Sequence, residues 1–321
     1  MKVVLFWSTF DSDTDISLER WRNKPLSLTA FHYLPLLSHV KWKQDVDLYT
    51  YQNISISHVP KGIKLKDADT IFPAKYALNA LSGGHSIAHI ADAVRLYAIA
   101  DTKGVLLDCD AVMIKPFDTK IDKGWFASMP AKATGGFAPK WGNAHPPLTV
   151  HDNGQEIWDG RALSCFPIKA NGNSRRSVRA LANKIMGKLA SPAGKGSKAW
   201  NYVLWDIKEI IKSDPLSVVY KPINFCPVPS WHVSGKCYSL EYPTRLNGDT
   251  ELFGYKLPSI EEIFIKSITV QHFFESAFQK ANKVEDSFWS NVRSGSLVHL
   301  EAEHILGFSW RKILDEYVNE P

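Results

Sequence analysis

The chain has 321 residues, of which 45% are hydrophobic and 22% are charged. This length and apolar content fit one large α/β domain, or one domain with a helical appendage. The 38 basic and 33 acidic residues give a net charge of +5, which suits an anionic substrate such as a nucleotide diphosphate but does not demand nucleic acid.

Cysteine spacing and hydropathy narrow the class of protein further. The cysteines Cys109, Cys165, Cys226 and Cys237 form no C-x-x-C pair. A disulfide framework or a zinc site is therefore not expected, and reduced thiols are the default. The opening apolar run, residues 3–7, is too short for a signal peptide, and nothing approaches a membrane-spanning helix. The sequence predicts a cytoplasmic protein.

The first part of the chain predicts the start of a nucleotide-binding α/β unit. The apolar run Val3 to Trp7 predicts a strand, Leu26 to His39 a helix, and Asp47 to Tyr51 a second strand. In such units ligands bind outside the carboxyl ends of the strands. Residues 57–78 contain prolines and a glycine, and predict a loop with short elements.

An amphipathic helix is predicted from His85 to Asp101, because apolar residues recur there at helical spacing. Asp92 and Arg95 are three positions apart, so they share one face of this helix. Gly104 is expected to end it. The helix therefore carries a paired acid and base on one side.

A pair of carboxylates follows the next apolar run. Val105 to Leu107 predict a buried strand, and Asp108 and Asp110 come directly after it. On extended backbone these two side chains point the same way, and two neighbouring anions repel each other. A hard divalent cation usually offsets such repulsion. The pattern predicts an Mn²⁺ or Mg²⁺ site at Asp108 and Asp110.

The order of these features resembles the sugar-donor region of nucleotide-sugar glycosyltransferases with the GT-A fold. The family pattern is S-D-x-x-R, a short spacer, then G-G-x-Y-x-D-x-D. Here Ala91 stands for the serine, Lys103 for one glycine and Leu107 for the aromatic. The pattern is similar to that of capsular-polysaccharide and initiation-type mannosyl- or galactosyltransferases and of the clostridial glucosylating toxins. The matching segments are residues 91–97, 103–110 and 115–117.

The resemblance implies an α/β fold of the GT-A type, with a mixed central sheet flanked by helices and a helical C-terminal segment. It implies one catalytic domain: a nucleotide-sugar-binding half at 1–120, an acceptor half at 121–284 and a helical extension at 285–321. The implied activity is metal-dependent sugar transfer from a UDP- or GDP-linked donor to a glycan or other acceptor, with retention at the anomeric carbon. The implied cofactor is Mn²⁺ or Mg²⁺.

The resemblance also implies roles for residues in the first half of the chain. Trp7, at the end of the first strand, would stack on the nucleotide base; the alternative is a tryptophan that simply belongs to the core. Asp92 and Arg95 would bind hydroxyls of the donor sugar and the phosphate side. Asp110 would bind the metal directly, and Asp108 would contact the ribose or reach the metal through water.

A late strand, Ile268 to Gln271, ends in His272. The resemblance implies that a histidine here completes the metal shell or touches the diphosphate, whereas a strand-end histidine is often a hydrogen-bonded surface residue. Ser276 and Lys280 are further candidates for diphosphate contact.

Three other features leave alternatives open. Residues 132–160 are polar and predict a long loop, either on the acceptor side or simply at the surface. The basic residues of the predicted helix 174–189 either form a solvent-exposed face or bind an anionic acceptor. His85 and His89 have a spacing that fits a metal, but no third ligand is evident nearby. Further strands are predicted at residues 125–129, 162–168 and 217–220.

Rival functions use the same acidic pair. In a haloacid-dehalogenase-type phosphotransferase, Asp108 would be the nucleophile and Asp110 the acid or base. That motif normally lies near the start of the chain, whereas here a strand, a helix and a strand precede it. A non-catalytic sugar- or nucleotide-binding protein is a third class. A glycosyltransferase that modifies nucleic acid is a variant of the leading interpretation.

Overall fold

The structure is a computed structural model, and the residues it describes cover most of the N-terminal half and several C-terminal segments. Some elements are described by their backbone alone. The described residues are 1–11, 17–26, 28, 30–55, 58–117, 125–130, 147–152, 155–170, 174–192, 206–207, 209–210, 218–220, 225, 227, 250–252, 255–272, 292, 294–313 and 315–316.

Strands and helices are interleaved through the first half of the chain, as in α/β folds. The strands are β1 Lys2–Phe6, β2 Asp45–Thr50, β3 Ile63–Asp67, β4 Val105–Leu106, β5 Ala111–Met113, β6 Trp125–Pro130, β7 Pro147–Asp152, β8 Gln155–Lys169, β9 Val218–Tyr220, β10 Thr250–Leu252, β11 Tyr255–Leu257 and β12 Thr269–Gln271. The helices are α1 Leu18–Asn23, α2 Ala30–Lys41, α3 Ala74–Ser82, α4 Ile87–Thr102, α5 Ser174–Leu189, α6 Ile260–Lys266, α7 Leu297–Leu306 and α8 Trp310–Ile313.

The central sheet is mixed, with the strand order β3-β2-β1-β4-β8-β6-β9 and β7 paired to β8. Strands β3, β2, β1 and β4 are parallel, whereas β8 is antiparallel to both β4 and β6. Strands β5 and β12 form a separate antiparallel pair. This arrangement confirms the predicted α/β class and is consistent with a GT-A-type sheet. The described part of the C-terminal segment is helical, as expected.

Two apolar layers cover the two faces of the sheet. Val3 and Leu5 of β1 belong to the core that contains residues of α2, α7 and α8. Val4 and Phe6, on the opposite face, belong to the core formed with α3, α4 and α5. A strand buried on both faces has a continuous apolar sequence, which is why β1 was predicted correctly. Of the described helices, none combines the length and the apolar character needed to cross a membrane.

The structure corrects two predictions about local elements. The short elements expected within residues 57–78 are the parallel edge strand β3 and the start of α3, whereas the predicted loop 132–160 includes β7 and the start of β8. Helix α4 does not end at Gly104: Lys103 takes the left-handed conformation after the last helical residue, with φ of 56°. Gly104 instead lies against β1, because a Cβ there would be 3.1 Å from the Lys2 carbonyl oxygen.

Candidate functional site

The two carboxylates of the Asp-x-Asp motif lie on a tight turn between β4 and β5. The Ala111 N–H donates to the Asp108 carbonyl oxygen at 3.1 Å, so residues 108–111 close a β-turn. Asp108 and Asp110 are both partly exposed. The premise that they share one side of an extended strand is therefore wrong, because β4 has already ended at Leu106. The turn nevertheless presents both carboxylates at the carboxyl edge of the parallel strands.

Contacts with β1 hold this turn in place. The Leu107 N–H donates to the Val4 carbonyl oxygen at 3.1 Å. The Cys109 thiol donates to the Phe6 carbonyl oxygen at 3.0 Å. The acidic turn consequently lies beside the end of β1, where Trp7 follows. Cys109, the variable position of the motif, thus has a visible structural role.

Arg95 connects helix α4 to the acidic turn. Its guanidinium forms ion pairs with Asp92, at 3.0 Å, and with Asp108. Its Nε also donates to the Ala91 carbonyl oxygen at 3.2 Å. Arg95 is 6% exposed and Asp92 is also buried. The structure therefore brings Asp92, Arg95 and Asp108 together, and Arg95 supplies positive charge beside one carboxylate of the pair.

Trp7 lies at the carboxyl end of β1, where the sequence predicted a nucleotide-stacking residue. Its backbone N–H donates to the Tyr49 carbonyl oxygen at 3.0 Å. The indole contacts the His32 ring, with 4.0 Å between the ring centroids. Burial lowers the pKa of His32 to about 3, so the imidazole beside Trp7 is neutral at ordinary pH.

Gln52 holds the loop that follows Trp7, and sequence reasoning missed it. Its side-chain oxygen accepts from the Ser8 hydroxyl and from the Thr9 N–H, both at 2.8 Å. Gln52 and Ser8 are buried. A polar residue directly after the second strand, at the carboxyl edge, was the available signal.

His272 lies next to the acidic turn through its backbone. Its N–H donates to the Asp110 carbonyl oxygen at 3.2 Å, and Gln271 is paired with Ala111 between β12 and β5. The imidazole Nε2 lies 2.7 Å from Oε2 of Glu301 in α7. Sequence reasoning also missed Glu301; its signal was a carboxylate among apolar residues of a helix. Burial raises the pKa of Glu301, and His272 opposes that shift.

The acidic turn offers oxygen ligands of the kind that a hard cation prefers. Carboxylate oxygens of Asp108 and Asp110 are the ligands that Mg²⁺ and Mn²⁺ prefer. Among the described residues, no group of three or more histidine, cysteine, aspartate or glutamate side chains is arranged to hold a metal ion. Magnesium commonly uses one or two carboxylates together with substrate phosphates. The turn fits that mode of binding.

The remaining residues that were predicted to belong to a site either make structural contacts or lie outside the described residues. Ser276 and Lys280 lie outside the described residues. His85 Nε2 is 2.8 Å from the Ser191 carbonyl oxygen, and His89 forms a capping box with Ser86 at the start of α4. These contacts give the two histidines structural roles.

The basic helix α5 uses several of its charges to dock on α4. Arg175 Nε donates to the Ala100 carbonyl oxygen at 2.7 Å, and Arg179 pairs with Asp101 at 2.6 Å. Arginine at the C-terminal end of a helix also complements the helix dipole. The contacts favour a docking role over an acceptor-binding patch.

Comparison with known proteins gives a distant structural likeness. No protein-family model matches the chain. No curated protein matches it either. Among solved structures the chain is similar to one titled "PaToxG Glycosyltransferase", with a TM-score of 0.35 and 13% identity over 66% of this chain and 73% of that chain. A likeness at this level carries no argument about function.

Proposed function

We propose that the chain is a metal-dependent glycosyltransferase that moves a sugar from a UDP- or GDP-linked donor to a glycan or other acceptor. The observation that carries this proposal is the acidic turn at residues 108–110, set at the carboxyl edge of parallel strands and ion-paired to Arg95. Ligands of open α/β sheets bind at this edge. Retention at the anomeric carbon is part of the proposal through the family resemblance.

The chemical demand is the departure of a nucleotide diphosphate that gains negative charge. Mn²⁺ or Mg²⁺, when bound, supplies Lewis-acid stabilisation of that charge. Asp110 would be its direct ligand, with Asp108 contacting the ribose or a metal-bound water. His272 remains a proposed metal or diphosphate contact through the family resemblance alone; its backbone N–H donates to the Asp110 carbonyl oxygen, whereas its imidazole lies against Glu301.

The remaining residues would bind and orient the donor. Trp7 would offer one face of its indole to the base, with neutral His32 behind it. Arg95 and Asp92 would contact the donor sugar and the phosphate side while their ion pair fixes their geometry. Ser276 and Lys280 remain proposed diphosphate contacts.

A panel of nucleotide sugars tests the proposal. The melting temperature of the wild-type protein should rise with one UDP- or GDP-sugar, and the rise should require Mn²⁺. Asp110→Asn should lose the metal-dependent part of the rise. Asp101→Asn, an exposed carboxylate paired with Arg179, is the matched control and should keep it. A DNA-induced shift that salt abolishes would instead support the nucleic-acid acceptor.

The phosphotransferase alternative predicts a different result in the same panel. It needs Asp108 as a nucleophile, yet the Asp108 carboxylate is engaged by the Arg95 guanidinium. A fluoride–metal phosphate mimic that stabilises the protein, with no response to any nucleotide sugar, would overturn the glycosyltransferase proposal. A nucleotide-sugar response without turnover would favour a non-catalytic binding protein.

A further inference from the structure

A buried glutamine ties the loop after β1 to the end of β2. Gln52, two residues beyond the last residue of β2, is 3% exposed. Its Oε1 accepts from the Ser8 hydroxyl and from the Thr9 backbone N–H, both at 2.8 Å. A backbone N–H can only donate, so the amide atom that faces Thr9 is the oxygen. One acceptor atom therefore holds two consecutive residues of the loop.

The same loop is held from a second direction. The Trp21 indole N–H donates to the Thr9 carbonyl oxygen at 2.7 Å, and Trp21 is fully buried. Trp21 in turn packs against Tyr51, with 4.9 Å between the ring centroids. Both polar backbone groups of Thr9 are thus bonded to buried side chains. The folded core fixes the conformation of residues 8 and 9 without a ligand.

This loop borders the proposed donor site. It begins directly after Trp7, whose backbone N–H donates to the Tyr49 carbonyl oxygen of β2. The Phe6 carbonyl oxygen, one residue earlier, accepts from the Cys109 thiol of the acidic turn at 3.0 Å. The loop consequently lies at the carboxyl edge of the sheet, beside the ends of β1 and β2, where ligands of open α/β sheets bind.

We propose that Gln52 is a positioning residue for the nucleoside part of the donor, which acts by fixing the loop directly after Trp7. The inference rests on the proposed function and adds a residue to it. A loop that is already ordered loses less conformational freedom when a ligand binds, so preorganisation raises affinity. Gln52 is buried, and it acts through the loop rather than by touching the nucleotide.

The amide oxygen, rather than the bulk of the side chain, carries the effect. A leucine would fill a similar space but would leave the Thr9 N–H and the Ser8 hydroxyl without their acceptor. Ser8 is buried together with Gln52, so water does not substitute for that acceptor. A glutamate would keep an oxygen in the same place at the cost of burying a charge. The two substitutions therefore separate the loop contact from overall stability.

The test measures the binding of UDP and GDP, with Mn²⁺ present, by isothermal titration calorimetry. Inorganic pyrophosphate is the second probe, because it has two phosphates but neither base nor ribose. The variants are Gln52→Leu, Gln52→Glu and Ser8→Ala, and the melting temperature of each is recorded. Gln44→Leu is the matched control. Gln44 directly precedes β2, at the opposite edge of the sheet, and its side-chain amide also bonds to the backbone, at the Trp42 carbonyl oxygen.

Gln52→Leu should weaken binding of the preferred nucleotide by about 10-fold, which corresponds to ordering roughly one loop residue on binding. Its affinity for pyrophosphate should not change, because the loop is assigned to the nucleoside end. Ser8→Ala, which removes one of the two donors, should act in the same direction by less. Gln52→Glu should keep most of the nucleotide affinity while lowering the melting temperature. Gln44→Leu should change neither affinity.

The outcomes separate this inference from the proposed function. Unchanged nucleotide affinity in Gln52→Leu, or in Ser8→Ala if Gln52→Leu does not fold, would overturn the inference and leave the proposed function standing. An equal loss of pyrophosphate binding, or an equal effect of Gln44→Leu, would also overturn it, since either would show a general effect of lost stability. If the wild-type protein bound neither UDP nor GDP, the proposed function would fail and this inference with it.

Discussion

At the scale of single residues, Arg95 links helix α4 to the acidic turn. It is buried and forms ion pairs with Asp92 in its own helix and with Asp108 across the chain. The helical spacing of Asp92 and Arg95 was readable from sequence. Their link to Asp108 was not, because it depends on how α4 and β4 lie against each other. Arg95 therefore has a stabilising role as well as the proposed donor-binding one.

Replacing Arg95 by Met should lower the free energy of unfolding by about 3 kcal/mol or more, because a buried cation shared by Asp92 and Asp108 is lost. Arg95→Lys should recover only part of the lost stability, because one ammonium group cannot reproduce the forked contact of the guanidinium with both carboxylates. Urea unfolding monitored by circular dichroism gives both values. Arg179→Met, which breaks the exposed pair with Asp101, should cost less than about 1 kcal/mol. Equal losses at Arg95 and Arg179 would contradict the account.

At the scale of elements, the connection from α4 to β4 determines where the acidic turn lies relative to the sheet. Lys103 adopts a left-handed conformation that glycine tolerates better, whereas a Cβ on Gly104 would be 3.1 Å from the Lys2 carbonyl oxygen, which is closer than most Cβ contacts. Two adjacent residues thus have opposite preferences. The sequence correctly placed a glycine at the helix end but did not show which of the two positions required it.

This pair of positions yields a prediction with opposite signs. Lys103→Gly should stabilise the protein by up to about 1 kcal/mol, because it relieves the left-handed backbone. Gly104→Ala should destabilise it by about 1–3 kcal/mol, because the new Cβ would press on the Lys2 carbonyl oxygen. Thermal unfolding of the two variants checks both. Stabilisation by Gly104→Ala would show that β1 and α4 do not approach as closely as described.

How much of the fold was predictable depended on local pattern. Strand β1 and helices α4 and α5 have the periodicities that sequence reasoning detects, and all were predicted. Strand β3 was not singled out, because its alternation of apolar and polar residues is short and Pro60, Gly62 and Pro73 in the same segment favoured a loop with short elements. Gln52 and Glu301 were missed for another reason: their roles come from contacts with residues far away in sequence.

At the scale of the whole molecule, buried histidines make stability depend on pH. His39 in α2 is fully buried, and neither of its ring nitrogens has a hydrogen-bond partner within the described residues. Burial lowers the pKa of His39 from 6.5 to about 3. The folded state therefore keeps this imidazole neutral where the unfolded chain would protonate it, and the same holds for His32.

The sign of the effect follows from linkage. Below pH 6.5 the unfolded state binds more protons than the folded state, so stability is complete above that pH and declines as the pH falls toward about 3. Each such histidine contributes a slope of about 1.4 kcal/mol per pH unit. Replacing His39 by Leu should remove one such contribution. Denaturation at pH 7, 6 and 5 measures it as the difference between wild type and variant, and parallel curves would contradict the neutral buried imidazole.

The central claim, metal-dependent use of a nucleotide sugar at the acidic turn, is tested most directly by donor hydrolysis without an acceptor. With Mn²⁺, the wild-type protein should slowly release UDP or GDP from its donor, since water can replace the acceptor, and a chelator should stop the release. Asp110→Asn should lower the rate at least about 100-fold, in keeping with the several kcal/mol that metal stabilisation supplies. Asp101→Asn should retain the rate. Release of the nucleotide diphosphate at an unchanged rate by Asp110→Asn, or no release from any UDP- or GDP-sugar, would contradict the account.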